Sequence, residues 1–214
     1  MIGVYVTVPV ACFRKGLARE YLETEPLPPP STCYGFLLSL VGETDRRRHC
    51  GVRLTPALVG QPDKSVVLRT LWRVKSRPLG SAGNTRPDYQ QVLTGVELVI
   101  WIDSAGEENG PPHLEDRVAE SLDAKRRGGV QRFGGLSLGE STHLVDLVRL
   151  FHQDQNRQSR VFLLAEQGRL TLPVWVDHVG SAGTHFVTGD LELAALQPPQ
   201  ANRMPKIEPK GPQA

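Results

Sequence analysis

The stretch Val96-Glu97-Leu98-Val99-Ile100-Trp101-Ile102-Asp103 constrains this chain more than any other. An apolar run so dense, closing on a carboxylate, reads as a buried strand, and the rest of the chain has to supply its cover. The alternation Val4, Val6, Val8 begins almost at the first residue and predicts another strand. Two further extended segments, rich in Val, Leu and Thr, are expected at 51–59 and 65–75. A helix is expected from Ser31, which follows the proline cluster 26–30 as a favoured N-cap. Tyr34, Leu37, Leu38 and Val41 fall at helical spacing, and Gly42 stands where the helix would stop. A second helix is expected from Leu114, with Val118 and Leu122 on the same face. Its early acids and the later Lys125 and Arg126 are ordered to suit the helix dipole. Strands follow near 142–150, 161–165, 170–176 and 185–193.

That order, strand–helix–strands–helix followed by a strand-rich half, gives an α+β class. It fits a ferredoxin-like (RRM-like, split βαβ) core, although the signature of ordinary RNA-recognition motifs is absent. Residues 77–95 turn to Pro, Gly, Ser, Asn and Gln, too long a stretch for a hairpin turn, and predict a projecting loop or ribbon. One domain is expected over 1–196. From Gln197, Pro, Gln, Lys and Gly dominate, so a disordered tail is expected over 197–214.

Composition narrows the function classes. The 214 residues carry a formal net charge of only +2, so any nucleic-acid surface must come from local clusters of Lys and Arg. Three scattered cysteines without a C-x-x-C pair argue against a disulfide framework or structural zinc and suit a reducing cytoplasm. The opening residues lack the basic start of a signal peptide, and no apolar run approaches the roughly 20 residues of a membrane helix. A soluble protein without membrane association is expected.

The segment Gly134-Gly135-Leu136-Ser137-Leu138-Gly139-Glu140-Ser141 has the spacing of a P-loop, but Glu140 stands in the place of the lysine. A glutamate there repels nucleotide phosphates, which argues against nucleotide hydrolysis. What is left is a glycine loop whose backbone a ligand can approach closely. Lys125, Arg126, Arg127 and Arg132 lead into it, with Phe133 beside them, a combination that suits a nucleic-acid backbone with one stacked base. The same residues also read as a turn after a helix whose basic end answers the dipole. Arg14, Lys15 and Arg19 form a second basic group. Arg69, Arg73, Lys75, Arg77 and Arg86, with Trp72 and Tyr89, form a third, in which 69, 73, 75 and 77 make a stripe on one strand face. Arg46, Arg47 and Arg48 read as plain surface. The six histidines have no ligand spacing and no Ser sits in a nucleophile elbow, so no metal, cofactor or catalytic group is expected.

Two stretches resemble the Cas-five family of CRISPR-associated proteins, closest to the branch of type I-B and Myxococcus-type systems. One runs from Phe13 to Glu43, through Ala18-Arg19-Glu20-Tyr21, Leu27-Pro28-Pro29-Pro30-Ser31-Thr32-Cys33-Tyr34-Gly35 and Leu37-Leu38-Ser39-Leu40-Val41-Gly42. The other is Arg132-Phe133-Gly134-Gly135-Leu136-Ser137-Leu138-Gly139-Glu140-Ser141. The resemblance implies a subunit of a type I CRISPR Cascade complex whose first helix and glycine loop bind and cap the five-prime handle of the crRNA. It also implies a thumb, placed here at 77–95, contact with the backbone and large subunits, and an indirect relation to target DNA. RNA contacts are then expected at Arg14, Lys15, Arg19, Ser31, Tyr34, Gly35, Arg73, Lys75, Arg126, Arg127, Arg132, Phe133, Gly134, Gly135, Ser137, Gly139 and Ser141. Tyr34 reads equally as core or as a stacking platform. One branch of the family cleaves precursor RNA with Tyr, Lys and His; no adjacent Lys–His pair occurs here, so a non-catalytic subunit is expected. The alternatives are a metal-independent processing ribonuclease on the same fold, or a protein-only adaptor. Defence and transposon-guided targeting both remain open.

Overall fold

The computed structural model describes residues 1–16, 21–72, 78, 80–81, 84–152, 157–179 and 181–210, with 71, 72 and 85 as backbone alone. The described elements are β1 (Ile2–Ala11), β2 (Tyr21–Leu22), α1 (Pro30–Val41), β3 (Arg53–Leu58), β4 (Asp63–Trp72), β5 (Thr85–Asp103), α2 (Leu114–Leu122), β6 (Leu147–Leu150), β7 (Gln158–Leu164), β8 (Leu170–Trp175) and β9 (His185–Ala195). The class is mixed, a large and mostly antiparallel sheet with two helices.

The apolar run of 96–103 is the second half of β5, the axis of the sheet. β1 pairs it on one side, with Val4 against Ile100, and β3 on the other, with Leu54 against Ile102. The full order is β6-β1-β5-β3-β7-β9-β8, and both β2 and β4 pair with β5. Alternation sorts the two faces. Val4, Val6, Val8, Leu54, Leu98, Ile100 and Ile102 share a core with Phe36, Leu37 and Leu40 of α1 and Leu114 and Val118 of α2. On the opposite face, Ala57, Val99 and Trp101 pack with Val161, Leu163, Leu196 and Met204.

Helix α1 begins two residues earlier than its sequence suggests. Pro30 takes the first helical turn, Pro29 is the N-cap, and no side chain caps the end, so Ser31 lies inside the helix. Proline is favoured there because its fixed φ is already helical. Gly42 ends the helix in the left-handed region at φ 69°, and the Glu43 amide donates back to Leu38 O at 2.9 Å. A Cβ on Gly42 would lie 1.9 Å from Gln131 O, so the stretch before the glycine loop crosses directly over the helix end. Helix α2 stops at Leu122 with no basic residue in its last turn. Lys125 and Arg126 therefore sit beyond the dipole they were expected to answer, in a turn where Arg126 lies 3.7 Å from Glu120.

Two expectations are corrected. Strand β5 already starts at Thr85 and pairs with β4 from Trp72–Thr85 to Asp63–Thr94. Residues 85–94, expected as part of a loop or ribbon, are thus one strand of a β4–β5 ribbon, paired with 63–72 along its whole length. The chain from Gln197 was expected to be disordered. Instead Met204 and Ile207 are fully buried, the Gly51 amide donates to Ile207 O, and the Ile207 amide donates to Val52 O, both at 2.8 Å. A polar average concealed a few well-placed apolar residues, enough to dock the segment beside β3.

Candidate functional site: a cleft between the first helix and the glycine loop

The first turn of α1 has few amides of its own to spare. Pro30 has no N–H, and the amides of Thr32 and Cys33 both donate to Pro29 O, at 2.9 and 3.0 Å. That leaves the Ser31 amide, the hydroxyls of Ser31 and Thr32, and the positive end of the helix dipole. Ser31, Gly35 and Ser39 follow at four-residue intervals on one face, where Gly35 is exposed and a Cβ on it would meet nothing within 4 Å.

The glycine segment divides in two. Residues 131–135 are exposed, and Phe133 stands with its ring wholly in solvent. Residues 136–145 form a tight hairpin. Leu138 is fully buried, its amide donates to His143 O at 3.1 Å, and the Val145 amide donates to Leu136 O at 2.9 Å. His143 Nδ1 accepts the amides of Cys12 at 3.1 Å and Glu140 at 3.2 Å. Burial holds its pKa below the usual value, against the pull of Glu140. Gly139, at φ 103°, lies so close to β1 that a Cβ would stand 2.8 Å from Cys12 O. The fold itself demands glycine at that position. Glu140, the residue that rules out a P-loop, lies 3.9 Å from Arg69.

Between these parts lies a cleft of about 790 Å³. Ser31, Thr32, Tyr34 and Gly35 of α1 line one wall, and Arg132, Phe133, Ser137 and Gly139 of the glycine segment line another. The two segments singled out in sequence thus meet at one place. The cleft also takes residues the sequence did not mark: Thr44 and Arg46 from the turn after α1, and Trp175 and His178 from the end of β8. Arg46, read in sequence as plain surface, has its guanidinium carbon 4.6 Å from the centre of the Trp175 ring. No linear motif announces that pair, because the two residues are far apart along the chain.

The remaining candidates sort by position. Tyr34 is buried and donates its hydroxyl to Arg46 O at 2.8 Å, which agrees with the core reading of the two it had in sequence. Burial also pushes that phenol well above its ordinary pKa. Arg126, Arg127, Gly134, Gly135 and Ser141 are exposed nearby but do not line the cleft. Arg14 and Lys15 are exposed just beyond Cys12, which touches Gly139, and they do not line it either. Arg19, Arg73, Lys75 and Arg77 lie outside the described residues. The third basic group loses Arg69, whose Nη2 donates to the buried Asp88 at 2.7 Å on the inner side of the ribbon. Among the described residues no group of His, Cys, Asp and Glu is arranged to hold a metal ion, and no helix is long and apolar enough to cross a membrane.

No family model matches the chain. Its sequence is 50% identical over 210 residues to the CRISPR-associated protein Cas5 of Myxococcus xanthus (strain DK1622), covering 97% of each chain. Among solved structures, one described as a CRISPR RNA-guided surveillance complex aligns with TM-score 0.58 at 14% identity, over 90% of this chain and 89% of that one. Another, described as the crystal structure of a Cas protein, aligns with TM-score 0.51 at 13% identity, over 96% and 97%. At such identities these two speak for the shared fold. Half of the residues kept over nearly the whole of both chains is a different order of likeness, and by it this chain belongs to the Cas5 family of CRISPR-associated proteins.

Proposed function

We propose that this chain is a non-catalytic subunit of a type I CRISPR Cascade complex, working in the cytoplasm, that binds and caps the five-prime handle of the crRNA. The observation that carries the reading is the cleft, where the first turn of α1 and the basic, aromatic approach to the glycine hairpin share one wall-to-wall space. A helix start favours phosphate, and an exposed ring beside arginine favours an unstacked base of a single strand. Leaving Phe133 fully in water forgoes about 1.5–3 kcal/mol of burial, which a stacked base would recover.

The family and the fold support the setting. The relative is named a CRISPR-associated Cas5 protein, and one structural neighbour is described as an RNA-guided surveillance complex. The order β6-β1-β5-β3, with α1 and α2 as the intervening crossovers, supports a ferredoxin-like core. The β4–β5 ribbon is the thumb in this reading. Its exposed Val66, Leu68 and Tyr89, with Tyr21 stacked beside Tyr89, suit the backbone or large subunit as protein partners. The non-catalytic part rests on the sequence, which lacks the Lys–His pairing of the cleaving branch.

The test is fluorescence anisotropy of the purified chain with a labelled handle RNA. Replacing Arg132 and Phe133 together by Ala is expected to weaken binding by roughly ten-fold or more. Arg126→Ala with Arg127→Ala gives a smaller, salt-dependent loss. The RNA is expected to survive incubation in EDTA. Binding unchanged in the Arg132/Phe133 variant removes the cleft from the reading, and clean cleavage within the repeat replaces it with a processing ribonuclease.

A further inference from the structure

We infer that Arg46, held over the Trp175 ring, is the stacking platform for one nucleobase in the cleft. The inference deepens the reading of this chain as an RNA-binding subunit and rests on it. Three contacts fix the platform. The guanidinium lies 4.6 Å from the centre of the Trp175 ring, its Nη2 donates to Val176 O at 3.0 Å, and the Arg46 carbonyl accepts the Tyr34 hydroxyl at 2.8 Å. The Trp175 ring is nearly buried while Arg46 is exposed, so the guanidinium rests over the indole on one side and stays accessible from the cleft. Tyr34 thereby becomes a positioning residue, and its place in the core serves the residue that stacks.

The surrounding charges show that Arg46 is not spent on an ion pair. The acid in the cleft lining, Glu43, accepts the amides of Thr44 and Asp45 at 2.9 and 2.8 Å and the guanidinium of Arg117. Asp45 accepts the Arg47 amide at 2.8 Å. Among the described residues no carboxylate forms a salt bridge with Arg46. A phosphate would be held by the N–H edge of a guanidinium, and here one edge position already serves Val176 O. The face of a guanidinium carries no N–H group and suits a π-system. The cleft sets two arginines, Arg46 and Arg132, among aromatic and aliphatic lining residues. Its one carboxylate among the described residues, Glu43, is already paired with Arg117, a balance that suits a base on an anionic strand. Its volume of about 790 Å³ has room for a base with its sugar.

The experiment uses the full chain and labelled single-stranded handle RNAs of about eight nucleotides, made abasic at one position at a time. Arg46→Lys keeps the charge and removes the plane. Thermal melting first establishes that this exposed substitution leaves the fold intact. Wild type is expected to lose about ten-fold affinity when one particular base is missing. Arg46→Lys is expected to lose about ten-fold on intact RNA, with an unchanged salt slope, and nothing further on that abasic RNA. Equal affinity of Arg46→Lys and wild type, or losses that simply multiply, overturns the platform while RNA binding itself stands. Absence of binding by wild type overturns the platform together with the reading beneath it.

Discussion

Gly35 sits in the interior of α1, where glycine costs about 1 kcal/mol relative to alanine, and a Cβ there would meet nothing within 4 Å. Nothing inside the molecule asks for glycine at this position. Gly42 differs, since its φ of 69° and the 1.9 Å approach of Gln131 O forbid a side chain outright. What distinguishes Gly35 is that it lines the cleft between Ser31 and Ser39, where a ligand can reach the bare helix backbone. Gly35→Ala is therefore expected to raise the unfolding free energy by about 0.5–1 kcal/mol in urea titrations and to weaken handle RNA binding several-fold. A stabilised variant with unchanged affinity would sever α1 from the RNA surface. At this scale the sequence was readable wherever a residue's role is local. Ser31, Gly35 and Phe133 stood out by spacing and type. Arg46 did not, because its side-chain partners, Val176 O and the Trp175 ring, come from the end of β8 and the residue after it, some 130 residues later.

The hairpin 136–145 is held by one imidazole accepting two backbone amides, those of Cys12 and Glu140. Nδ1 must be unprotonated to accept them, so His143 works in its neutral form. Desolvation lowers its pKa first, Arg69 adds to that, and Glu140 opposes it. The unfolded chain then binds more protons below about pH 6.5 than the folded one does. The stabilisation is complete above that pH and is lost as pH falls from it toward the depressed folded value. His143→Asn supplies an acceptor that does not titrate. The stability gap between wild type and this variant is expected to narrow as the pH is lowered from about 7.5 to about 5.5, read from urea midpoints. Parallel profiles would mean that the imidazole does not hold the hairpin through its neutral form. The glycines made this element visible in sequence. Its division into an exposed approach and an anchored hairpin was not visible, since the anchor is a lone histidine serving main-chain groups that no spacing rule reveals. The elements built on apolar periodicity, β1, β5 and both helices, were the legible part, because burial alone sets their pattern.

Across the whole molecule, the sheet has a weak seam at β3. Strand β7 pairs with β3 only at Ala57 and Leu58, so the first half of that edge needs another partner. The segment 205–207 fills it: the Leu54 amide donates to Pro205 O at 3.0 Å, and Arg53 bridges to Lys206. Met204 and Leu196 meanwhile cover Val99 and Trp101 on the face away from the helices. Composition could not foresee this, because an average over prolines and glutamines gives no weight to which few positions are apolar or what large surface awaits them. The segment therefore acts as a structural strap, and its effects should separate from those of surface charge. Met204→Ala is expected to cost about 2–5 kcal/mol in urea unfolding, the range for emptying a buried long side chain. Arg203→Ala, which breaks a half-exposed pair with Glu192, is expected to cost under about 1 kcal/mol. Deleting 198–214 goes further, since it bares both the apolar face and the unpaired β3 edge. That chain is expected to aggregate where the full one stays monodisperse in light scattering, as an open, flat strand edge recruits its own kind. If the shortened chain remained monodisperse and Met204→Ala unfolded with the wild type, the second core would have to be closed by β7 and β9 alone.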